Sequence, residues 1–201
     1  MTYIDEEILK QQKMQEQKLE QEERLQGEVA EGKVVLDGKE ICFEKQVFLD
    51  GQLTLMVPTD LRPMSEEEIN GAYLLGNRPQ YLFRSEQLGM SFVLNHTENV
   101  VSDNQVIKMA SVAGKLLERA TMNGRTYRKI NFSRSDKTIA TVELVTNGLD
   151  DSIYSLNFYI SIKERLLLGN WSCQAKGMAE KKLIAMQMLE TIEITELDNE
   201  D

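Results

Sequence analysis

The sequence predicts an α+β domain: a largely antiparallel sheet of about six or more strands, helices packed on its faces, and a polar helix preceding it. Three observations carry this expectation. Ser152–Lys163 reads S-I-Y-S-L-N-F-Y-I-S-I-K, with Tyr154, Leu156, Phe158, Ile160 and Ile162 at every second position. Successive strand side chains point to opposite faces, so these five share one. The other face, with Ile153, Ser155, Asn157, Tyr159 and Ser161, is mixed, as in a central antiparallel strand with one greasy and one amphipathic face. Asp-Gly and Asn-Gly pairs punctuate the apolar runs at hairpin spacing, which implies antiparallel neighbours. The helical stretches fall outside a regular strand–helix alternation, which excludes a doubly wound parallel sheet.

Taken in order, residues 3–26 are rich in Gln, Glu and Lys without an internal proline or glycine, and so favour a helix. The best heptad frame runs Ile4, Ile8, Gln11, Gln15, Lys18, Glu22, Leu25; its polar centre lacks the apolar knobs of a coiled coil. A solvated, partly disordered extension over 1–32 is expected, with a tether or partner-binding arm as its functional reading. Residues 33–195 form the domain. Lys33–Phe43 is a hairpin turning at Asp37-Gly38, where both turn positions favour positive φ. Val47–Val57 repeats the logic at Asp50-Gly51, and Pro58 and Pro63 close that strand. Ser65 and Glu68 form a capping-box signature for a short helix over Glu66–Leu74.

Tyr81–Ser85 and Met90–Asn95 are strands about a turn near Gly89, with His96 expected at a strand end on the surface. Ser102 and Asp103 supply N-caps for a helix over Asp103–Ala120. Its apolar face is Val106, Met109, Ala110, Ala113, Leu116, Leu117 and Ala120, spaced as one helical stripe. Gly114 would let it approach the sheet. Four long strands follow: Tyr127–Ser133, Thr138–Thr146, Ser152–Lys163 and Arg165–Ala175. A closing helix over Ala179–Glu190, with Leu183, Ile184 and Met188 as core candidates, leads to a short segment at Thr191–Thr195 and an acidic tail at 196–201. The face Tyr154–Ile162 is expected under the helix Asp103–Ala120. Ile153, Tyr159 and Trp171 are the candidate partner contacts, if the closing helix does not cover them.

Charge is segregated. Residues 1–32 carry nine acidic and four basic side chains and 193–201 five acidic ones, so the formal −10 resides in the two ends and the body between is balanced. A balanced body argues against nucleic acid or anionic lipid as a partner. The basic stretch Arg125, Arg128, Lys129, Arg134 and Lys137 is interrupted by Asp136 and divided between strand faces. No apolar run approaches the ~20 residues that span a bilayer. The N-terminus lacks a signal-peptide pattern, so a cytoplasmic protein is expected. Cys42 and Cys173 are too far apart in sequence to suggest a metal knuckle and are expected as two free, mostly buried thiols. One histidine, singly placed glycines and no G-x-S-x-G elbow leave neither a nucleophilic triad nor a phosphate-binding loop. The expectation is no catalytic residue, no cofactor and no metal.

The order of elements adds a resemblance. The entry F-L-D-G-Q-L-T-L-M-V-P at Phe48–Pro58 precedes two strands, a long helix after Asn99–Ser102 and a block of long strands. W-S-C-Q-A at Trp171–Ala175 then precedes a helix running into L-E-T-I-E-I at Leu189–Ile194. Over Val47–Ile194 this resembles the PsbP-like fold and, within it, the DcrB-related proteins. The resemblance implies a non-enzymatic binding module. One DcrB-related branch, of the Eag type, looks like cytoplasmic chaperones that shield apolar helices of secreted toxins; others are periplasmic lipoproteins or assembly factors. The lack of a lipobox cysteine and of a signal pattern fits the cytoplasmic branch; the N-terminal extension and first hairpin, Met1–Phe43, and the acidic tail depart from the pattern. The function expected is therefore a protein-interaction module, an adaptor or chaperone for a secreted or membrane-associated partner. The alternative is a small-molecule or lipid-binding domain using an apolar crevice between sheet and helix.

Overall fold

The computed structural model describes residues 25–73, 78–120, 125–147 and 151–195. The predicted helix over 3–26 falls almost wholly outside them. The described strands form two antiparallel sheets. The smaller contains β1 (Leu25–Glu28), β2 (Lys33–Leu36), β3 (Lys39–Phe48), β4 (Leu53–Pro58) and β12 (Glu193–Ile194), side by side in that order. The larger has β5 (Arg62–Pro63), β6 (Tyr81–Ser85), β7 (Met90–Val100), β11 (Arg165–Gln174), β10 (Ser152–Ile162), β9 (Lys137–Asn147) and β8 (Arg125–Arg134), again in spatial order. The described residues also form the α-helices α1 (Glu66–Ala72), α2 (Val106–Ala120) and α3 (Met178–Glu190).

Local chemistry explains the elements. Asp37 (φ 48°) and Gly38 (φ 74°) make the tight β2–β3 turn, the left-handed pair that matches strand twist. Ser65 caps α1 in both directions: its Oγ accepts the Glu68 N–H at 3.3 Å, and Glu68 Oε2 accepts the Ser65 N–H at 2.7 Å. A single 3-10 turn, Asp103–Gln105, leads into α2 behind the Ser102–Gln105 capping box. The single expected sheet divides where Pro58 ends β4 and the chain turns through 59–61, Leu61 N–H donating to Pro58 O. A proline has no N–H to continue the ladder. Residues 25–32, which the sequence assigns to the polar extension, add β1 and a 3-10 turn to the small sheet, and Val29 is wholly buried. Leu25, Val29 and Ala30 among Gln, Gly and Glu do not alternate and are too sparse a pattern to announce a strand.

Register assigns the faces of the large sheet. Leu156 lies opposite Trp171 and Glu143, and Phe158 opposite Gly169 and Thr141, so these residues point to one inner face. Tyr154, Leu156, Phe158, Ile160 and Ile162 are buried there against Phe43, Phe48, Leu53 and Leu55 of the small sheet and Ile184, Ala185, Met188 and Leu189 of α3. This corrects the expectation that the helix now called α2 would cover them. That helix packs on the opposite, outer face, over Ala140, Val142, Tyr159 and Leu166. Alternation shows which residues travel together and is silent on which element covers them. Gly114 permits the approach, since a Cβ there would stand 3.1 Å from Val142 Cγ1.

The inner face is aromatic and buried. Phe92 stacks on Trp171 with centroids 3.9 Å apart, and Phe48 meets Phe92 edge-on at 5.7 Å. Gly169 exists to admit Phe158: a Cβ at 169 would fall 1.9 Å from that ring. An ion pair is built in, Lys182 Nζ of α3 lying 2.6 Å from the wholly buried Glu143 carboxylate of β9. Leu183, expected in the core, faces outward at 39% exposure. His96 does not end its strand: β7 runs on to Val100, and the half-buried imidazole sits 3.2 Å from Ile162 O. Cys173 is buried, with its thiol pushed up by burial against the opposing pull of Lys181, whereas Cys42 is exposed between inward-facing Ile41 and Phe43.

Candidate functional site

The outer face of the large sheet is only partly covered. α2 spans β8, β9 and β10, and the outer face of β11, β7 and β6 lies beside it. Between them runs an open groove of about 350 Å3. Its floor is Val93, Tyr159 and Leu168, and one wall is Ala113, Leu116 and Leu117 of α2. Asn157 and Asn170 stand side by side in the floor. Asn170 Nδ2 donates to Asn157 Oδ1 at 3.0 Å, and Asn157 Nδ2 donates to Val142 O at 3.3 Å. The amides thus satisfy each other in part and leave a narrow polar seam across an apolar trough.

Helical spacing explains why the groove stays apolar. Met109, Val112, Ala113 and Leu116 lie along the flank of α2 next to its buried line Val106–Ala110–Gly114. The apolar stripe is wider than the sheet contact it makes. Leu116 is 57% exposed and Val112 47%. Beyond this flank, one step further round the helix, Lys108, Lys115 and Arg119 form a cationic solvent-facing row. The groove therefore has an apolar base and a positive rim. The titratable side chain in its lining is the Tyr159 phenol, which burial pushes up to about 12, so it stays neutral at ordinary pH.

The three sequence candidates do not come together. Tyr159 lies in the groove floor with little of its surface open. Ile153 is on the same outer face toward the other end of β10, 39% exposed, in a polar depression with Arg84, Ser91, Ser172, Gln174 and Lys181. Trp171 is wholly buried on the inner face. Its partner across the ladder is Leu156, not Ile153 or Tyr159, and that register places it under the small sheet. Sequence reasoning missed Val93, Leu168 and the Asn157–Asn170 pair as site residues. It placed Leu116 on the apolar face of the helix without asking what covers it, although a seven-residue apolar stripe on a fifteen-residue helix is itself a signal of more surface than one contact fills.

Among the described residues, no group of three or more His, Cys, Asp or Glu side chains converges as a metal site would, and no helix is long and apolar enough to cross a membrane.

No family model matches the chain, and no curated protein sequence matches it. Solved structures do. The chain is similar to cyanobacterial PsbP (CyanoP) from Synechocystis sp. PCC 6803, at 9% identity and a TM-score of 0.56, over 76% of this chain and 92% of that one. The fold is PsbP-like. It is also similar to LpqN, a protein involved in cell envelope biogenesis of Mycobacterium tuberculosis, at 12% identity and a TM-score of 0.51, over 77% of this chain and 91% of the other. At such identities the PsbP-like fold is what these proteins share. The groove is described by this chain's own residues.

Proposed function

We propose that this chain is a non-enzymatic protein-interaction module that docks an apolar, acid-flanked helix of a partner protein in the groove between α2 and the outer face of β7 and β11. The groove carries the reading. Its base of Val93, Ala113, Leu116, Leu117 and Leu168 offers a trough for side chains one helical turn apart. The row Lys108, Lys115 and Arg119 favours a partner with carboxylates beside its apolar stripe. A lining of aliphatic, amide and neutral phenol groups supplies no general base or nucleophile at that surface. The more specific reading is a DcrB-related chaperone or adaptor of the cytoplasmic kind, shielding an apolar helix until it is handed on. The sequence resemblance and the open, apolar character of the groove support it.

A specific observation also favours a second reading. The volume lies within the range of small-molecule pockets, so a lipid chain is the competing occupant. An open trough buries less of a small ligand than an enclosed cavity would, and so favours the helix.

Titration of the isotopically labelled full chain separates the two. The probes are a synthetic 18-residue amphipathic peptide, Leu at every third or fourth position and Glu on the other face, and palmitate. The peptide is expected to shift the amide signals of Ala113, Leu116, Leu168 and Asn170, with Leu116→Asp abolishing the response and added salt weakening it. Shifts confined to other surfaces, or none at millimolar peptide, would overturn the reading. Saturable binding of palmitate with no response to peptide would replace it with the lipid one.

A further inference from the structure

We infer that the groove is directional: it takes the last helix of a partner chain, whose free C-terminal carboxylate is held in the depression lined by Arg84, Ser91, Ser172 and Lys181. This rests on the groove being a helix-docking surface, and goes further by naming which helix docks there and which way it runs.

Register makes the depression a continuation of the groove floor. Val93 and Asn95 of β7, Asn170 and Leu168 of β11, and Asn157 and Tyr159 of β10 form that floor on the outer face. Two residues further along the same strands, on the same face, stand Ser91, Ser172 and Ser155. Ser172 lies opposite both Ser155 and Ser91, and Arg84 of β6 lies opposite Ser91. One row across four strands therefore reads Arg84, Ser91, Ser172, Ser155. The apolar floor gives way within about 7 Å to guanidinium and hydroxyl groups. Lys181 of α3 reaches in at the end of the sheet, its Nζ 3.5 Å from where a Cβ of Gly89 would stand. The depression measures about 380 Å3, and its lining holds two cations and no carboxylate.

Its donors are open. Arg84 is anchored through Nε, which donates to Glu86 Oε1 at 3.0 Å, and its Nη groups donate to no acceptor among the described residues. Among the same residues Lys181 forms no ion pair, and the hydroxyls of Ser91 and Ser172 form no hydrogen bond. The C-terminal end of a helix needs such a set. Its last four carbonyls have no partner within the helix, and the macrodipole places about half a negative charge there. A free carboxylate adds a full charge, which an Arg fork takes through two N–H donors. A helix N-terminus would instead set its positive end against Arg84 and Lys181. Length agrees as well. Leu168 and Ser172 are four strand residues apart, about 14 Å, the rise of about nine helical residues. The other depressions bring carboxylates of their own. That beside Val29 carries Glu28 and Glu190. That under the β2–β3 hairpin carries Asp37, Glu40 and Glu86, and Lys181 borders it too. There Glu40 is already paired with Lys33, and Glu86 with Arg62 and Arg84.

The test sets the full chain against two forms of the amphipathic peptide, both acetylated at the N-terminus, one ending in a free carboxylate and the other in an amide. The free acid is expected to bind about tenfold tighter, a margin that hydrogen bonds to a charged group supply. The chain's formal −10 would by itself favour the amide. Arg84→Gln and Lys181→Gln should each cut the margin to about twofold or less. Both should leave the affinity of the amide form unchanged, which also reports that the variants fold. A nitroxide on the penultimate residue of the free acid should broaden the amide signals of Ser91, Ser172 and Gln174 beyond those of Asn95 and Leu168. A nitroxide on its first residue should leave Ser91 and Ser172 sharp. A margin that survives the combined Arg84→Gln and Lys181→Gln, or the reverse pattern of broadening, would overturn the inference. Equal binding of both forms at the groove would sink the C-terminal reading and leave the docking surface standing. Failure of both forms to shift Ala113, Leu116 and Leu168 would sink the docking reading and this inference with it.

Discussion

The two faces of the large sheet come from the same strands and have opposite fates. Inner residues of β10 meet the small sheet and α3 and are excluded from water along the whole strand. Outer residues meet one helix, which covers β8, β9 and β10 and leaves β11, β7 and β6 beside it partly open. The lesson is that alternation alone does not make a face structural. Coverage does, and coverage depends on how much apolar surface the neighbouring layer brings. The inner face meets more than it needs, down to a glycine at 169 that yields its volume to Phe158. The outer face meets a helix whose apolar stripe overshoots its contact.

That contrast is open to attack, beginning where the effect is largest. Lys182→Met takes the Lys182 ammonium away from the buried Glu143 carboxylate of the inner face, and is expected to cost about 3–5 kcal/mol in denaturant unfolding. Adding Glu143→Leu should restore much of it. A near-neutral Lys182→Met would mean that water reaches the inner face. Gly169→Ala drives a Cβ into the Phe158 ring and should cost about 1–3 kcal/mol or more, with loss of near-UV circular dichroism from the displaced aromatic stack. On the outer face, Leu116→Asp should change stability by no more than about 0.5 kcal/mol while abolishing peptide binding. A large loss of stability there would make Leu116 a core residue and erase the distinction between faces.

The smallest effect lies away from both faces. Arg62 donates to both carboxylate oxygens of Glu68, at 2.8 and 2.9 Å, and the Ser65 N–H donates to it as well. Chiefly the guanidinium, then that N–H, hold the Glu68 carboxyl down to about 2. A depressed carboxylate stabilises above its usual range near 4.5 and loses that contribution as pH falls through about 2. The amides of Glu66–Ala72 should therefore gain exchange rate in acid before those of β10 do. Equal onset would mean that α1 is held by something other than its cap.

Much of the fold was legible because it is written locally. The β2–β3 hairpin follows from Asp37-Gly38, α1 from Ser65 and Glu68, β6 from the turn near Gly89 and β10 from alternation, both at nearly their observed ends. What escaped is non-local. Nothing in Leu53–Pro58 says that β4 pairs with β12 rather than β6, and nothing in Trp171 says that it stands opposite Leu156. The groove was half legible. An apolar crevice between sheet and helix was anticipated in kind, and Tyr159 in its floor was named. Its remaining floor comes from Val93 and Leu168 on different strands, which register alone brings together. Trp171 went astray because aromatic size signals burial and binding alike.

The last strand of the small sheet carries a further consequence, one of timing. Glu193 and Ile194 complete the edge beside β4, Thr191 Oγ accepts the Met56 N–H at 2.9 Å, and Gln187 Oε1 accepts the Val29 N–H at 2.9 Å. These contacts join residues 135 and 158 positions apart. During synthesis the greasy side of β10 therefore emerges from the ribosome well before α3 and β12 exist to close it. A chain stalled short of Met178 presents Tyr154, Leu156, Phe158 and Ile160 to solvent or to a holdase. Productive folding waits for α3 and β12, and slow translation or cleavage there exposes the chain to aggregation.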